Sequence, residues 1–154
     1  MSARRRQEDG FSALEIVIIV MVILVLAAIS VPNMVAASRS YKVTIAAEAL
    51  SQQLNRCRQE AVRKNQLVPI QVTAHTTAID LDDGGTDYTD DGTLVTVASD
   101  ATITLVSPTN GIVTFTSRGE MPIGSNPNFT VSYGGRSRSV TIDPRGAVTI
   151  GAEQ

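Results

Sequence analysis

Gly10-Phe11-Ser12-Ala13-Leu14-Glu15 is the most informative stretch of the sequence, and an unbroken apolar run from Ile16 to Ile29 follows it at once. Three arginines, Arg4 to Arg6, stand before it. A carboxylate at the head of such a run is out of place, because an ionised side chain at the centre of a membrane helix costs about 2.5–3.5 kcal/mol. Glu15 therefore predicts a function and a cationic partner. A free amino group would serve, if the chain were cut after the glycine.

Two other interpretations compete for this segment. An ordinary secretory signal has a basic region, an apolar region and a small-residue cleavage site, which Val25-Leu26-Ala27 would supply. A simple membrane anchor needs about 20 apolar residues, and the stretch from Ile16 to Ala37 nearly provides them. Neither interpretation gives Glu15 a role. The arginines predict a cytoplasmic N-terminus by the positive-inside rule, with twin-arginine export as the alternative.

The length of the chain limits the number of domains, and its charge excludes one class of protein. A chain of 154 residues supports one modest domain besides the apolar segment. The first ten residues hold three of the 13 basic and two of the 15 acidic residues, so the remainder has a formal charge of −3. A globally basic nucleic-acid binder is therefore excluded, and any such binding must be local.

The reactive side chains are sparse. Cys57 is the one cysteine, so no internal disulfide forms, and the one histidine, His75, lacks companions for a zinc site and is expected in an exposed loop. The sequence contains no glycine-rich phosphate loop and no nucleophile beside the histidine. We therefore expect neither a cofactor nor an enzyme.

A second part of the same predicted helix is amphipathic. Its apolar residues are spaced 4, 3, 4, 3 and 4 apart and form one stripe: Val43, Ala47, Leu50, Leu54, Cys57 and Ala61. A coiled-coil seam would need a longer repeat, so packing against a sheet of the same chain is the preferred interpretation. The helix is expected to run from Phe11 to Lys64 and to stop at Asn65.

After residue 65 the chain is rich in Val, Ile and Thr, and glycine-containing turns divide it into short segments. The predicted strands are Val68–Thr73, Ala78–Leu81, Leu94–Ala98, Thr102–Val106, Ile112–Thr116, Phe129–Tyr133, Ser139–Ile142 and Ala147–Ile150. Small sheets need a covering layer, which the helical stripe supplies. The predicted fold class is α+β: a long N-terminal helix, with a transmembrane half and an amphipathic half, packed on a small antiparallel β-sheet head.

The N-terminal motif resembles the class III signal of type IV prepilins and pseudopilins. The stretch from Ser51 to Asn65 is similar to the signature L-x-x-A-R-x-E-A-I-x-R-N of the FimT/GspH group, with Cys57 in place of the usual alanine. The segments Phe115–Gly119 and Ile142–Gly146 also resemble that group. The resemblance covers nearly the whole chain.

This resemblance implies a pilin-like fold and a processing route. Residues 1–10 would be a leader removed by prepilin peptidase, which would cut between Gly10 and Phe11, and Phe11 would be N-methylated. Residues 11–37 would form the transmembrane and filament-core helix, and residues 38–154 the soluble head. Glu15 would guide assembly by pairing with the N-terminal ammonium of a neighbouring subunit.

The implied function is structural. The chain would be a minor pilin or pseudopilin of a type II secretion pseudopilus or a type IV pilus, and would support protein secretion. Its partners would be prepilin peptidase, other pilins in the filament and inner-membrane lipid. It would cross the bacterial inner membrane once, with its N-terminus in the cytoplasm and its head in the periplasm, before entering a periplasmic or surface filament.

Gly135-Arg136-Ser137-Arg138 is a candidate DNA-binding motif. FimT-like members associated with DNA uptake carry a similar Gly-Arg-x-Arg sequence. Alternate residues on a strand share a face, so Arg136 and Arg138 would present two guanidinium groups about 7 Å apart to phosphates of double-stranded DNA. Arg118 and Arg145 would extend this patch. The alternative is that these arginines keep an edge strand soluble and unpaired.

An acidic loop is the last candidate. Six aspartates lie between residues 80 and 91, interrupted by glycines, and oxygen-rich loops of this kind can bind Ca²⁺. If Asp87 is taken as the first position of an EF-hand loop, the twelfth position is Ala98, so the acidic residue that would bind Ca²⁺ through both oxygens is missing. We expect a solvated acidic loop without a metal. The calcium alternative would use Asp82, Asp83, Asp87, Asp90 and Asp91.

Overall fold

The structure is a computed structural model that describes residues 12–80, 95–97, 100–107 and 111–154. The chain divides into two compact units, Met1–Ala37 and Ser38–Gln154. Helix α1 (Ala13–Lys64) begins in the first unit and ends in the second. The β-strands all belong to the second unit, which carries the hydrophobic core.

Helix α1 ends one residue before Asn65, as its sequence predicts. Asn65 adopts a left-handed conformation, with φ of 53°. Its N–H donates to the carbonyl of Val62, and the N–H of Gln66 donates to the carbonyl of Ala61, both at 3.3 Å. These two bonds form a Schellman motif, which satisfies carbonyls that the helix itself leaves unpaired.

The predicted apolar stripe of α1 is buried along its whole length. Each of its six residues has 0% of its surface exposed: Val43, Ala47, Leu50, Leu54, Cys57 and Ala61. All of them except Val43 belong to one hydrophobic cluster with residues from the strands. The stripe therefore packs against the sheets of its own chain, and the preferred interpretation of the spacing is confirmed.

The described residues form eight strands in two antiparallel sheets. The strands are β1 (Val68–Val72), β2 (Thr76–Ile79), β3 (Val95–Thr96), β4 (Thr102–Ser107), β5 (Ile112–Phe115), β6 (Asn128–Tyr133), β7 (Arg136–Ile142) and β8 (Val148–Glu153). The first sheet has the order β3-β2-β1-β5, and the second has the order β4-β6-β7-β8. Every hydrogen-bonded neighbour in either sheet is antiparallel.

The α+β fold class is confirmed, but the arrangement of the sheets and several strand bounds differ from the prediction. The single small sheet is in fact two, because β5 returns to pair with β1 while β4 pairs with β6. Phe115 from the first sheet and Phe129 from the second are both fully buried in the same cluster. Strand β7 begins three residues earlier than predicted, at Arg136, because the turn before it is very short.

The connection between β6 and β7 fixes the orientation of the arginines. Gly134 and Gly135 both have positive φ, 58° and 83°, and Tyr133 pairs directly with Arg136. A two-residue hairpin loop with two positive φ angles is a type I′ turn, which glycine adopts without steric cost. The resulting register places Arg136 on the same face of β7 as the buried Val140.

Arg58 ties two other glycine turns to the helix. Its Nε donates to the carbonyl of Gly119 at 2.9 Å, and its Nη2 donates to the carbonyl of Arg145 at 3.2 Å. Gly119 and Gly146 have φ of 74° and 77°. A Cβ atom on Gly146 would overlap the carbonyl oxygen of Gly119. Both turns therefore need glycine, one of them for space as well as for backbone conformation.

We expect Gly146→Ala to destabilise the head strongly, because the added methyl group meets the Gly119 carbonyl in a backbone conformation that already disfavours alanine. The left-handed conformation costs about 1–2 kcal/mol, and overpacking adds about 1–3 kcal/mol. The measurement is urea unfolding of the full chain in detergent, followed by the accessibility of the buried Cys57 thiol.

Gly135→Ala is the matched control. Gly135 also has positive φ, but nothing lies within 4 Å of a Cβ built there, so this variant should lose only the conformational part. Equal losses of unfolding free energy in the two variants would show that the contact between Gly119 and Gly146 is not tight.

Candidate functional site

Glu15 lies in the first turn of α1 and its side chain is exposed. Ser12 precedes the helix, and its Oγ accepts a hydrogen bond from the N–H of Leu14 at 3.3 Å. The spacing Ser12-x-x-Glu15 is that of a capping box, and the N-terminus of a helix favours a carboxylate. Glu15 therefore has a local role available besides the predicted one in assembly. Gly10 and Phe11 lie outside the described residues.

The first half of α1 exposes an apolar surface. An 18-residue window has a mean hydropathy of 3.1, and none of that window is buried within the chain. Large aliphatic side chains from Leu14 to Val35 are all largely exposed. By length and composition this part of the helix can cross a membrane, although a signal sequence meets the same test. Such a surface requires lipid or other apolar helices around it.

Arg136 and Arg138 both face one carboxylate. The Nη1 atom of Arg136 lies 2.9 Å from Oε1 of Glu153, and the Nη2 atom of Arg138 lies 3.8 Å from Oε2. Arg138 and Glu153 are direct cross-strand partners on β7 and β8. Only 17% of the Glu153 side chain is exposed, whereas 46% of Arg136 is. The two guanidinium groups therefore share a largely enclosed counterion.

Glu153 also joins this strand pair to the helix. The hydroxyl of Ser40 on α1 donates to its Oε2 atom. This hydrogen bond, followed by the charges of Arg136 and Arg138, lowers the pKa of Glu153 below its ordinary value. Groups from α1 and β7 therefore favour the ionised form of this single carboxylate on β8.

Arg118 and Arg145 do not extend this arginine pair. Both lie in the turns that Arg58 holds together. Strand β7, which separates Arg136 from the turn of Arg145, is about 20 Å long at about 3.3 Å per residue. The structure therefore brings Arg136 and Arg138 together, and it brings the turns of Arg118 and Arg145 together at the other end of β7. The single four-arginine patch expected from the sequence is not formed.

Comparison with known families decides the identity of the chain. The family model described as type II transport protein GspH matches residues 46–146. The chain belongs to the GspH family. Arg58, Gly119 and Gly146 of this chain all lie inside the region that matches the family model. The arginine of the helical motif and the two glycine turns resembling the FimT/GspH group are thus parts of one contact.

Solved structures share the fold of this GspH-family chain. The type IV minor pilin FimU of Pseudomonas aeruginosa is 20% identical, with a TM-score of 0.63, and the match covers 73% of this chain and 90% of that one. The minor pseudopilin EpsH from the type 2 secretion system of Vibrio cholerae is 16% identical, with a TM-score of 0.54, and the match covers 72% and 97%. No curated protein matches the chain by sequence.

Sequence reasoning missed Ser40 and Glu153. Both lie outside the part of the chain that matches the GspH family. Neither belongs to a recognisable motif, and their meeting depends on the register of β7 with β8. Glu153 lies three residues beyond the predicted strand Ala147–Ile150, and no local pattern in the sequence shows which strand pairs with it.

The remaining candidates carry no site among the described residues. Burial raises the pKa of the Cys57 thiol to about 12, so the group behaves as a small apolar side chain. His75 is exposed in the loop between β1 and β2, as predicted, and its Nδ1 lies 3.0 Å from the carbonyl of Ala101. No group of three potential metal ligands occurs in the described parts of the chain. The five aspartates of the calcium alternative lie outside them.

We expect Glu153→Gln to reduce stability at neutral pH and to lose this effect in acid. The pKa of Glu153 is lowered on folding, so its contribution is present above the unfolded pKa and disappears as pH falls through the folded value. Thermal unfolding of both proteins, followed by circular dichroism from about pH 7 to about pH 3, measures the difference.

Glu120→Gln is the control for this experiment, because it removes the same charge from an exposed position between β5 and β6. Its unfolding midpoint should stay close to that of the unmodified chain across the pH range. A Glu153→Gln deficit that persists unchanged in acid would contradict an ionic role for Glu153.

Proposed function

We propose that this GspH-family chain is a minor pseudopilin, a structural subunit of the filament that drives type II secretion. The single observation that carries the proposal is the family match over residues 46–146, whose description names type II transport. The same fold occurs in a type IV minor pilin and in a type 2 secretion pseudopilin, so both machines use this scaffold. The family description favours secretion over the pilus.

The apolar half of α1 supports a filament role on physical grounds. Its aliphatic side chains are exposed along the whole segment, so it is stable only in lipid or against other apolar helices. In the proposed cycle it is first a single inner-membrane span and then part of the filament core. Transfer between these two surroundings leaves no apolar surface in water, which makes reversible extraction energetically feasible.

Processing would create a cation that can pair with Glu15. In the proposal, prepilin peptidase cuts between Gly10 and Phe11, and the new ammonium group of Phe11 is N-methylated. Glu15 of one subunit then pairs with the ammonium of its neighbour. An ionised group inside an apolar bundle is expensive unless it is paired, so this pairing would select correctly seated subunits.

The test is coexpression of the full chain with a prepilin peptidase and the companion pseudopilins. Intact-mass analysis should show a chain that begins at Phe11 and carries one added methyl group. Glu15→Gln should be processed in the same way but should fail to copurify with the companions. Glutamine keeps the capping-box geometry at Glu15 and removes only the charge, so the variant separates assembly from helix capping.

Glu48→Gln is the matched control on the same helix, where the exposed side chain lies in the amphipathic half. It should be processed and should assemble normally. A mature chain with a different first residue would refute the processing step. Normal assembly of Glu15→Gln would refute the pairing step, while leaving the family and the fold untouched.

DNA binding is the second candidate function, and one observation favours it. Arg136 and Arg138 lie on the same face of β7, as strand alternation predicts, and Arg136 is 46% exposed. Glu153 opposes it, because any phosphate must compete with this carboxylate for both guanidinium groups. Removal of Glu153 should therefore strengthen DNA binding through the pair.

A salt-titrated mobility shift of the detergent-solubilised full chain with double-stranded DNA tests this function. If DNA binds through the pair, the plot of log K against log salt concentration should be less steep, by about 2, in the Arg136→Ala, Arg138→Ala variant than in the unmodified chain. The Arg118→Ala, Arg145→Ala variant removes the same charge at the other end of β7 and should bind as before. No shift at low salt, for either the unmodified chain or Glu153→Gln, would exclude the DNA candidate.

A further inference from the structure

The second unit begins with basic and aromatic side chains that lie close together. Arg39 extends from α1 to the β6–β7 turn, where its Nη1 lies 3.5 Å from the carbonyl of Gly134. Lys42, one helical turn later, lies 4.8 Å from the ring centroid of Tyr133 and 3.3 Å from its hydroxyl. We call the surface formed by Arg39, Tyr41, Lys42 and Arg136 the Arg39 surface.

The Arg39 surface keeps positive charge at its exterior. Arg39 is exposed, Arg136 is 46% exposed and Lys42 is 40% exposed. Two carboxylates accompany them: Asp100, at 2.7 Å from Lys42, and Glu153, which Arg136 shares with Arg138. When Arg138, which shares Glu153, is counted with the three cations of this surface, four cationic side chains accompany two acidic ones. This is a formal excess of two positive charges in a chain whose formal net charge is −2.

The position of this surface along the chain indicates what it meets. Arg39 follows the apolar segment directly and lies 26 residues after Ala13 in the same helix. At about 1.5 Å per residue this is about 39 Å of helix, or about 37 Å across the membrane at a typical tilt of about 20°. The hydrocarbon is about 30 Å thick, and each headgroup layer adds about 5–8 Å. A helix that enters the hydrocarbon near Ala13 therefore delivers Arg39 to the opposite headgroup layer.

We propose that the Arg39 surface binds the phosphates of anionic phospholipids and holds the head against the membrane before the subunit enters a filament. Arginine suits phosphate oxygens because its planar group donates several hydrogen bonds, and basic side chains beside a membrane helix are attracted to anionic lipid. Tyr41 lines the same surface pocket as Lys42 and is 67% exposed, and tyrosine is enriched at the membrane–water interface. The inference rests on the proposed membrane anchoring of α1.

The test reconstitutes the full chain in vesicles of phosphatidylcholine alone or with about one-third phosphatidylglycerol, a fraction chosen to give a negative surface potential. A fluorophore on Ala152→Cys, an exposed position on β8 next to Glu153, reports contact with lipids that carry a quencher on the headgroup. Native Cys57 is buried and does not compete for the label. We expect stronger quenching in the anionic vesicles.

Arg39→Gln and Arg136→Gln should each lower the ratio of membrane-bound to detached heads about fivefold in anionic vesicles. Arg145→Gln, with the same charge change at the other end of β7, should leave that ratio unchanged. Equal quenching in the two lipid mixtures, or unchanged quenching in the Arg39 and Arg136 variants, would overturn the proposal. Displacement of the head by millimolar inorganic phosphate would also overturn it, by indicating a discrete phosphate site instead of a lipid surface.

Flotation of the same vesicles distinguishes failure of this proposal from failure of the proposed membrane anchoring of α1. A chain that fails to float in either lipid mixture lacks the membrane anchor, and the proposed function fails with it. A chain that floats equally in both mixtures, but whose label responds identically to them, keeps the anchor and loses the Arg39 surface.

Discussion

The structure depends on one contact above all, the packing of a single helical stripe against two separate sheets. Each four-stranded sheet has an apolar face that must be buried against another element, and β3 contains only two residues. The stripe from Val43 to Ala61 gives both sheets a common covering layer, so that Phe115 and Phe129 share one core. The small residues Ala47, Cys57 and Ala61 allow the strands to approach the helix closely.

Arg58 turns the same helix into an anchor for loops as well as strands. It lies one residue after the buried Cys57, so its stem leaves the edge of the stripe while its guanidinium group reaches two turn carbonyls. A charged donor contributes more to such a hydrogen bond than a neutral one does. This contact explains why a helical arginine and two distant glycine turns occur together in a chain of the GspH family: they meet at one point.

Much of this fold could be predicted because short stretches of sequence determine its individual elements. The spacing of the stripe, the β-branched segments and Asn65 each act over a few residues, and each predicted element is present among the described residues. The division into two sheets could not be predicted, since it depends on whether β5 pairs with β1 or with a later strand. The candidate site was predictable to the same extent: alternation placed Arg136 and Arg138 on one face, but nothing local revealed Glu153.

The position of Glu153 depends on an irregularity in the sheet. Arg138 pairs with Glu153, whereas Val140 pairs with Ile150, so β8 contains one extra residue between these points. Gly151 lies in this bulge, where a Cβ atom would overlap the hydroxyl of Ser139. If the register set by Val140 and Ile150 continued without the irregularity, Glu153 would pair with Ser137 and lie on the opposite face, away from both arginines and from Ser40. The bulge therefore determines whether Glu153 compensates the positive charge of Arg136 and Arg138, because it places the carboxylate on the same face as both guanidinium groups.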